Sequence, residues 1–219
     1  MGTLDKPEYL SNKAEIVFFC SHFWPYVGGV ETMVELIGTN LLKVGYKVSV
    51  CTLPARTRLE SVYKGIEIIS VNANQFQDVL KSKSVSREVI ACVLIQDPLG
   101  FIIWTLEGLS DIYKHKVIVQ PIINDDGHAR WKENLEFTRR LTRVLMPPVR
   151  VVSLTQNGPD ACFFRSNGIK FTYLPNFTEN PTPSPGFRQR FGIGKEEFVV
   201  LQVANLFRVK NHLGFLASL

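Results

Sequence analysis

Seven short apolar runs lie along the chain, and most are separated by segments in which apolar residues recur every three or four positions. Runs of this length are typical of buried strands, whereas the longer period is typical of helices. The predicted strands cover residues 15–20, 47–53, 65–71, 89–95, 116–121, 149–154 and 170–174. The predicted helices cover 30–44, 99–113 and 131–144, and residues 72–87 allow a further short helix. Apolar strands that alternate with helices predict an α/β fold, with a parallel sheet covered on both faces.

A linker is predicted at residues 180–186, where proline alternates with polar residues. Beyond it, a short helix is predicted over 187–192 and a strong strand over 197–204. One strand and part of a helix cannot bury a core of their own. We therefore expect an N-terminal domain over residues 1–180, and over 181–219 the linker and first strand–helix unit of a truncated second domain.

Composition narrows the classes of protein that fit this pattern. Hydrophobic residues make up 45% of the 219 residues, which allows a substantial core and disfavours bulk disorder. The net charge of +5 suits anionic ligands, anionic membranes or nucleic acid without choosing among them. Because the chain has no dense Lys/Arg run with interleaved aromatic residues, nucleic acid is disfavoured as a partner.

The four cysteines form no C-x-x-C pair, and three lie in or beside apolar runs. Buried, reduced thiols in a cytosolic protein are therefore expected rather than disulfides or a metal site. The four histidines are scattered without an i, i+4 pair, so no metal is expected. The N-terminus is polar, and no apolar run approaches the roughly 20 residues that span a bilayer. We expect a cytoplasmic protein.

The segment from Ser21 to Glu31 is the first candidate site, because it joins the first predicted strand to the first predicted helix. Its adjacent glycines, Gly28 and Gly29, leave backbone N–H groups bare at a helix N-terminus, which suits a phosphate or another anion. Alternatively, this is a tight turn that needs glycine for its dihedral angles and binds nothing. The Rossmann fingerprint with three spaced glycines is absent.

Polar residues also follow several other predicted strands. In parallel α/β sheets, ligands bind outside the C-terminal ends of the strands. The polar residues expected at these ends are His22 to Glu31, Asp97, Asn124 to His128, and Thr155 with Gln156. The topology, rather than the spacing in sequence, would bring these residues to one edge of the sheet.

Three segments in order along the chain carry a family resemblance. Residues 25–31 read Pro-Tyr-Val-Gly-Gly-Val-Glu, residues 174–177 read Leu-Pro-Asn-Phe, and residues 198–212 combine an apolar strand with Val-Lys-Asn-His. They resemble the P-x-x-G-G-x-E loop, the P-N turn and the second-domain phosphate loop of glycosyltransferase family 4. This resemblance implies the retaining GT-B architecture, in which two Rossmann-like domains face each other across a cleft. The N-terminal domain mainly receives the acceptor, and the C-terminal domain mainly holds a nucleotide sugar.

The resemblance also implies which residues would meet the donor. Gly28 and Gly29 would approach the donor diphosphate or the transferring sugar. Lys210 matches the lysine that neutralises this diphosphate, and Arg208 would substitute for a family arginine that usually lies further upstream. A fixed cation stabilises the charge that develops on a leaving nucleoside diphosphate. Without the resemblance, Lys210 is interpreted as a solvated loop lysine.

Other roles fall on the acceptor side. The family often carries a histidine after the fifth strand, and His128 or Asn124 would fill that catalytic place, although the same loop is also typical of a turn. The acceptor-side residues that we assign are His22, Tyr26, Glu31 and Asp97. Family members use basic residues and helix N-termini where other enzymes use a cation, so no cofactor and no metal are expected.

The implied function is transfer of a sugar from a nucleotide-sugar donor to an acceptor hydroxyl, with retained configuration. The acceptor would be a glycan or a lipid-linked molecule. The family's paired glutamates, E-x(7)-E, have no counterpart before residue 219, so we expect the polypeptide by itself to be inactive. The alternative is a non-catalytic Rossmann-like binding module, or a partner subunit of a split glycosyltransferase. A flavodoxin-like or dehydrogenase domain is disfavoured, because no ribose-binding acid follows the second strand.

Four arginines surround the apolar residues 144–146, which raises the question of membrane contact. They are Arg139, Arg140, Arg143 and Arg150. Related enzymes act on lipid-linked acceptors at the cytosolic leaflet, so peripheral contact at the inner membrane face is one interpretation. The other is that these arginines form the solvated face of a helix.

Overall fold

The computed structural model describes residues 14–96, 99–123, 134–175 and 186–199. By its internal contacts the chain divides into two compact units, Met1–Thr178 and Glu179–Leu219. Each unit is described by itself.

Eight described strands form a single sheet in the first unit. They are β1 Glu15–Phe19, β2 Lys47–Thr52, β3 Val62–Tyr63, β4 Ile66–Ser70, β5 Val89–Gln96, β6 Val117–Pro121, β7 Arg150–Ser153 and β8 Phe171–Tyr173. Their order across the sheet is β3-β4-β2-β1-β5-β6-β7-β8. Every neighbouring pair is parallel except β3 with β4. Without β3, the parallel strands run 3-2-1-4-5-6 with a seventh added, which is the Rossmann order. The predicted Rossmann-like α/β fold is confirmed.

Helices cover both faces of this sheet. The described helices of the first unit are α1 Gly29–Lys43, α2 Phe76–Val85, α3 Gly100–Leu106, α4 Asp111–Lys114, α5 Leu135–Val144 and α6 Pro159–Ser166. Side chains alternate along β1, so Val17 and Phe19 belong to one buried cluster and Phe18 to another. Helix α1 covers the Phe18 face through Val34, whereas α2, α3, α5 and α6 supply the other cluster.

Two of the predicted elements differ in the structure. The single helix predicted over 99–113 is two helices, α3 and α4, and Gly108 between them has a positive φ of 76°. Strand β3 lies between the predicted strands 47–53 and 65–71, where the sequence pattern predicts no element. In the turn from β3 to β4, Lys64 and Gly65 have φ values of 49° and 82°. Positive φ at both central residues is what a type I′ hairpin turn requires.

The second unit is described only over residues 186–199. The short helix predicted over 187–192 is present as α7, Phe187–Arg190. Residues 197–199, the described part of the predicted strand 197–204, are not in a strand. The linker over 180–186 lies outside the described residues, apart from Gly186.

The described helices also bear on the question of membrane contact. Within the described ranges, no helix is long and apolar enough to cross a membrane. On α5, Arg139 and Arg143 are exposed, while Arg140 forms an ion pair with Glu107 at the end of α3.

Candidate functional site

The first candidate loop lies at the point where the order of successive strands in the sheet reverses. Strand β1 pairs with β2 on one side and with β5 on the other, so successive connections leave β1 and β5 in opposite directions. In sheets of this topology, the crevice outside the carboxyl ends of these two strands is the usual ligand site. The loop of residues 20–28 leaves β1 there, and α1 begins immediately after it.

Gly28 and Gly29 lie at the surface of this loop. Gly28 is partly exposed and is the N-cap residue of α1, and Gly29 is exposed and begins the helix. Gly28 has φ −155° and ψ −175°, which is extended backbone that any residue adopts, and neither glycine has a positive φ. The interpretation that this turn needs glycine for its dihedral angles is therefore wrong.

The two glycines differ in what surrounds them. A Cβ atom on Gly28 would lie 2.5 Å from Oε2 of Glu31, so a side chain there would require the glutamate to move aside. A Cβ atom on Gly29 would meet no heavy atom of the described residues within 4 Å. Nothing in the described protein itself requires glycine at this second position.

The first turn of α1 offers both hydrogen-bond donors and an acceptor. Gly28 cannot supply a side-chain cap, and the first bond of the helix runs from Thr32 N to Gly28 O. The N–H groups of residues 29–31 therefore have no partner within the helix. Glu31 lies in the same turn, where a carboxylate interacts favourably with the helix dipole. The turn can thus donate N–H groups to a ligand and accept a hydrogen bond from a hydroxyl.

Arg58 links the loop of residues 20–28 to neighbouring segments by hydrogen bonds. Its Nε donates to Trp24 O at 2.6 Å, one terminal nitrogen donates to Ser70 Oγ at 2.7 Å, and the guanidinium also reaches Phe23 O and Leu53 O. Burial lowers the pKa of Arg58 from its ordinary value. Arg58 was not predicted from the sequence, because a single arginine in a polar loop belongs to no recognisable motif.

A shallow, open pocket with a cavity volume of about 30 Å³ lies beside the loop. Its lining residues are Phe23, Trp24, Tyr26, Val27, Glu31, Thr32, Glu35 and Tyr63. The rings of Trp24 and Tyr63 stack with centroids 4.2 Å apart and an interplanar angle of 7°. Trp24, Tyr26 and Glu31 lie in the segment from Ser21 to Glu31 that the sequence singled out, whereas Glu35 and Tyr63 lie outside it and were not predicted. Trp24 and Tyr63 are 39 positions apart in the sequence, so their contact is not evident from the sequence.

The structure brings together only part of the predicted site. His22 is exposed and lies edge-on to Tyr26, with ring centroids 5.1 Å apart, and Tyr26 is itself 49% exposed. Gly28, Gly29 and Glu31 lie in the same region of the loop and first turn. The remaining predicted site residues lie outside the described ranges: Asp97, Asn124, His128, Arg208 and Lys210.

The cysteines partly match the expectation of buried thiols. Cys20, Cys51 and Cys92 are free and buried, whereas Cys162 is free and exposed on α6. Burial raises the pKa of Cys51 and of Cys92 to about 12, and it raises the pKa of Cys20 as well. Over the described ranges, no group of three or more His, Cys, Asp or Glu residues could hold a metal ion.

Comparison with known proteins finds little resemblance. No family model matches the chain, and no curated protein matches it either. Among solved structures, ChuY, an anaerobillin reductase from Escherichia coli O157:H7, is similar with a TM-score of 0.43 and 8% identity, covering 76% of this chain and 100% of that one. A similarity of this degree carries no argument about chemistry. The Rossmann-like assignment rests on the strand order itself.

Proposed function

We propose that the chain is the acceptor-side part of a retaining glycosyltransferase of family 4 type with GT-B architecture. In this proposal a sugar passes from a nucleotide-sugar donor to a hydroxyl of a glycan or lipid-linked acceptor, without a metal ion. The reaction takes place in the cytoplasm, with peripheral contact at the inner membrane face when the acceptor is lipid-linked. The motif at residues 25–31 and the Rossmann-like sheet support this proposal together.

The observation that carries the proposal is the open space at Gly29. Glycine at the start of a helix costs stability relative to alanine, by roughly 0.5–1 kcal/mol in a helix interior and less at the terminus. The backbone angles do not require it, and no described atom lies within 4 Å of the missing Cβ. Neither backbone strain nor packing against the described protein thus explains glycine at this position. Glycine also allows a ligand to approach the backbone closely, and we assign it that use here. The open N–H groups of the same turn suit phosphate or sugar oxygens.

Glu31 refines how such a ligand would lie. Its carboxylate is already next to Gly28, so a diphosphate placed directly on the first turn would meet a like charge. A sugar hydroxyl that donates to Glu31 avoids this repulsion. We therefore assign the transferring sugar, rather than the diphosphate, to the Gly28–Glu31 turn, and leave the diphosphate to Arg208 and Lys210 as the resemblance implies.

Gly29→Ala tests the proposal, because the substitution removes space for a ligand without disturbing the protein. Binding of uridine and guanosine diphosphate sugars to the purified chain is measured by isothermal titration calorimetry. We expect affinity for the preferred donor to fall about tenfold or more in Gly29→Ala, since one extra methyl in a close contact costs roughly 1–3 kcal/mol. The free energy of unfolding should stay level or rise slightly.

Gly100→Ala is the matched control for stability. Gly100 also begins a helix and has no positive φ, and a Cβ atom added to it would meet no heavy atom within 4 Å. Both alanines should affect unfolding alike. Equal donor affinity in wild type and Gly29→Ala, or no binding of any nucleotide sugar, would contradict the proposal. Donor binding without release of nucleoside diphosphate is the result expected of this polypeptide by itself, because the paired glutamates of the family have no counterpart before residue 219. Release of nucleoside diphosphate in the presence of acceptor sugars would contradict that expectation of inactivity.

A further inference from the structure

The pocket beside the glycine loop already holds an ammonium group at its edge. Lys64 Nζ forms an ion pair with Glu35 and lies 5.4 Å from the centroid of the Tyr63 ring. Glu35 and Tyr63 both line the pocket. An ammonium group is attracted to the face of an aromatic ring at this distance. The protein's own lysine thus already pairs with one carboxylate of the pocket and lies over one of its rings.

The pocket carries more negative charge than Lys64 can balance. Glu31 and Glu35 are four residues apart on α1, so they share one face of the helix, and both line the pocket. Like charges at this spacing destabilise a helix. Among the described residues, no cation forms an ion pair with Glu31. One carboxylate is thus left for a second cation.

The remaining lining supplies aromatic surface. Trp24 and Tyr63 stack face to face, the Phe23 ring meets Tyr63 edge-on at 6.1 Å, and Tyr26 closes the side toward the loop. Clusters of aromatic rings with a carboxylate are a common recognition site for alkylated and primary ammonium ions. The faces of aromatic rings carry partial negative charge. They therefore repel an anion, and a neutral ligand gains only the energy of burying surface against them.

We propose that this pocket binds the ammonium group of a small organic ligand, either an amino sugar or a choline-like quaternary amine. The pocket adjoins the proposed sugar site and shares Glu31 with it, while Glu35 and Tyr63 belong to the pocket alone. Ammonium binding does not require glycosyl transfer. Glu35→Gln and Lys64→Asn therefore test this pocket, and Gly29→Ala tests the sugar site.

Matched pairs of ligands test the charge requirement on the full chain. Choline is compared with 3,3-dimethyl-1-butanol, its neutral isostere, and glucosamine is compared with glucose, by calorimetry at low salt. We expect the cation of at least one pair to bind about fivefold to tenfold more tightly than its neutral partner. Preference for choline indicates a quaternary headgroup, and preference for glucosamine indicates an amino sugar. Equal binding within both pairs, or no binding of any of the four, would overturn the proposal.

Three substitutions make opposite predictions for the same titration. Glu31→Gln and Glu35→Gln each remove one carboxylate, so affinity for the preferred cation should fall severalfold. Lys64→Asn removes the internal competitor and should raise that affinity severalfold, while asparagine tolerates the positive φ of the turn. Glu88→Gln is the control, because Glu88 is exposed and precedes β5 at the opposite end of the sheet.

The direction of the Lys64→Asn change separates ammonium binding from a general effect of charge or unfolding. Thermal unfolding of each variant shows that it remains folded. If all three variants weaken binding, or if Glu88→Gln weakens it as much as Glu31→Gln, the ammonium site is not in this pocket.

Discussion

Asp160 is a buried carboxylate whose partners lie in the turn that follows β7. It accepts hydrogen bonds from the Ser153 hydroxyl at 2.5 Å, from the Thr155 hydroxyl, and from Leu154 N at 3.2 Å. Burial by itself raises the pKa of Asp160, but the hydrogen bonds donated to it outweigh burial and the pKa is lowered. One side chain thus fixes a loop at the carboxyl edge of the sheet.

Asp160→Asn should destabilise the protein by about 1–3 kcal/mol at pH 7, because an amide cannot accept all of these hydrogen bonds and a donor is left unpaired. The pKa of the folded state is the lower one, so the carboxylate's contribution is fully present above the unfolded pKa of about 3.9. It is lost as pH falls through the lowered folded pKa. Urea unfolding from pH 7 to pH 2.5 should show the gap between wild type and Asp160→Asn shrinking only below about pH 4.

Asp78→Asn is the comparison for this residue-scale prediction. Asp78 is 77% exposed and pairs with Lys81 only at 3.9 Å on one helix. Exposed pairs of this kind contribute about 0–1 kcal/mol. A loss in Asp78→Asn equal to that in Asp160→Asn, or a gap that closes well above pH 4, would show that the buried hydrogen bonds do not stabilise this turn.

At the scale of elements, the sequence predicted strands better than helices. The central strands β1, β2 and β6 are largely buried on both faces, so each is a nearly continuous apolar run. Strands β1, β2, β4, β5 and β6 end within one residue of their predicted bounds. The prediction of one helix over 99–113 was wrong because Gly108 can adopt a positive φ, which apolar periodicity does not reveal. Strand β3 was missed because it has two residues and its turn carries Lys64 rather than the usual Asn-Gly signal.

The contact between α1 and the sheet depends on a small residue. Gly38 is buried in α1, and a Cβ atom there would lie 2.8 Å from Ile66 Cδ1 and 3.3 Å from Val48 Cγ1. Alanine would gain roughly 0.5–1 kcal/mol in helix propensity, but overpacking a core typically costs about 1–3 kcal/mol. We expect Gly38→Ala to lower the free energy of unfolding by about 1 kcal/mol.

The double variant Gly38→Ala/Ile66→Val tests whether this contact is the cause. Removing Ile66 Cδ1 alone should cost about 0.5–1.5 kcal/mol, because it leaves a small void. In the double variant the alanine methyl occupies part of that space, so the combined loss should be smaller than the sum of the single losses. Additive losses in urea unfolding would mean that α1 accommodates the methyl in some other way.

At the scale of the whole molecule, the candidate site could be located from the sequence but not assembled. The glycines that follow the first strand lie at the carboxyl edge of the sheet, as the predicted strand and helix implied, because parallel strands bring their carboxyl ends together. The pocket joins Trp24 of the loop, Glu35 of α1 and Tyr63 of β3, and the chain order gives no sign that these three meet. Their contact depends on the order of β1, β2 and β4 across the sheet, which is a property of the tertiary fold.

The reactivity of the four thiols can be used to follow unfolding of the sheet. The thiols of Cys20, Cys51 and Cys92 are buried in or beside neighbouring strands, with raised pKa values, and Cys162 is exposed. Since the thiolate is the reactive form, the three buried thiols are protected both by exclusion of reagent and by their protonation. We expect one of the four thiols to react rapidly with an aromatic disulfide reagent at about pH 8, and all four to react in about 8 M urea, a concentration at which small domains are generally unfolded.

Cys162→Ser tests whether the rapidly reacting thiol is Cys162, because it removes the exposed thiol and leaves the sheet unchanged. Its native form should show no rapidly reacting thiol, and its three remaining thiols should become reactive together as urea is raised. Cys20, Cys51 and Cys92 lie in or follow three strands that are adjacent in the sheet, so a single opening event exposes all three. A second rapidly reacting thiol in the native chain, or separate urea midpoints for the three, would mean that β2, β1 and β5 do not form one cooperative sheet.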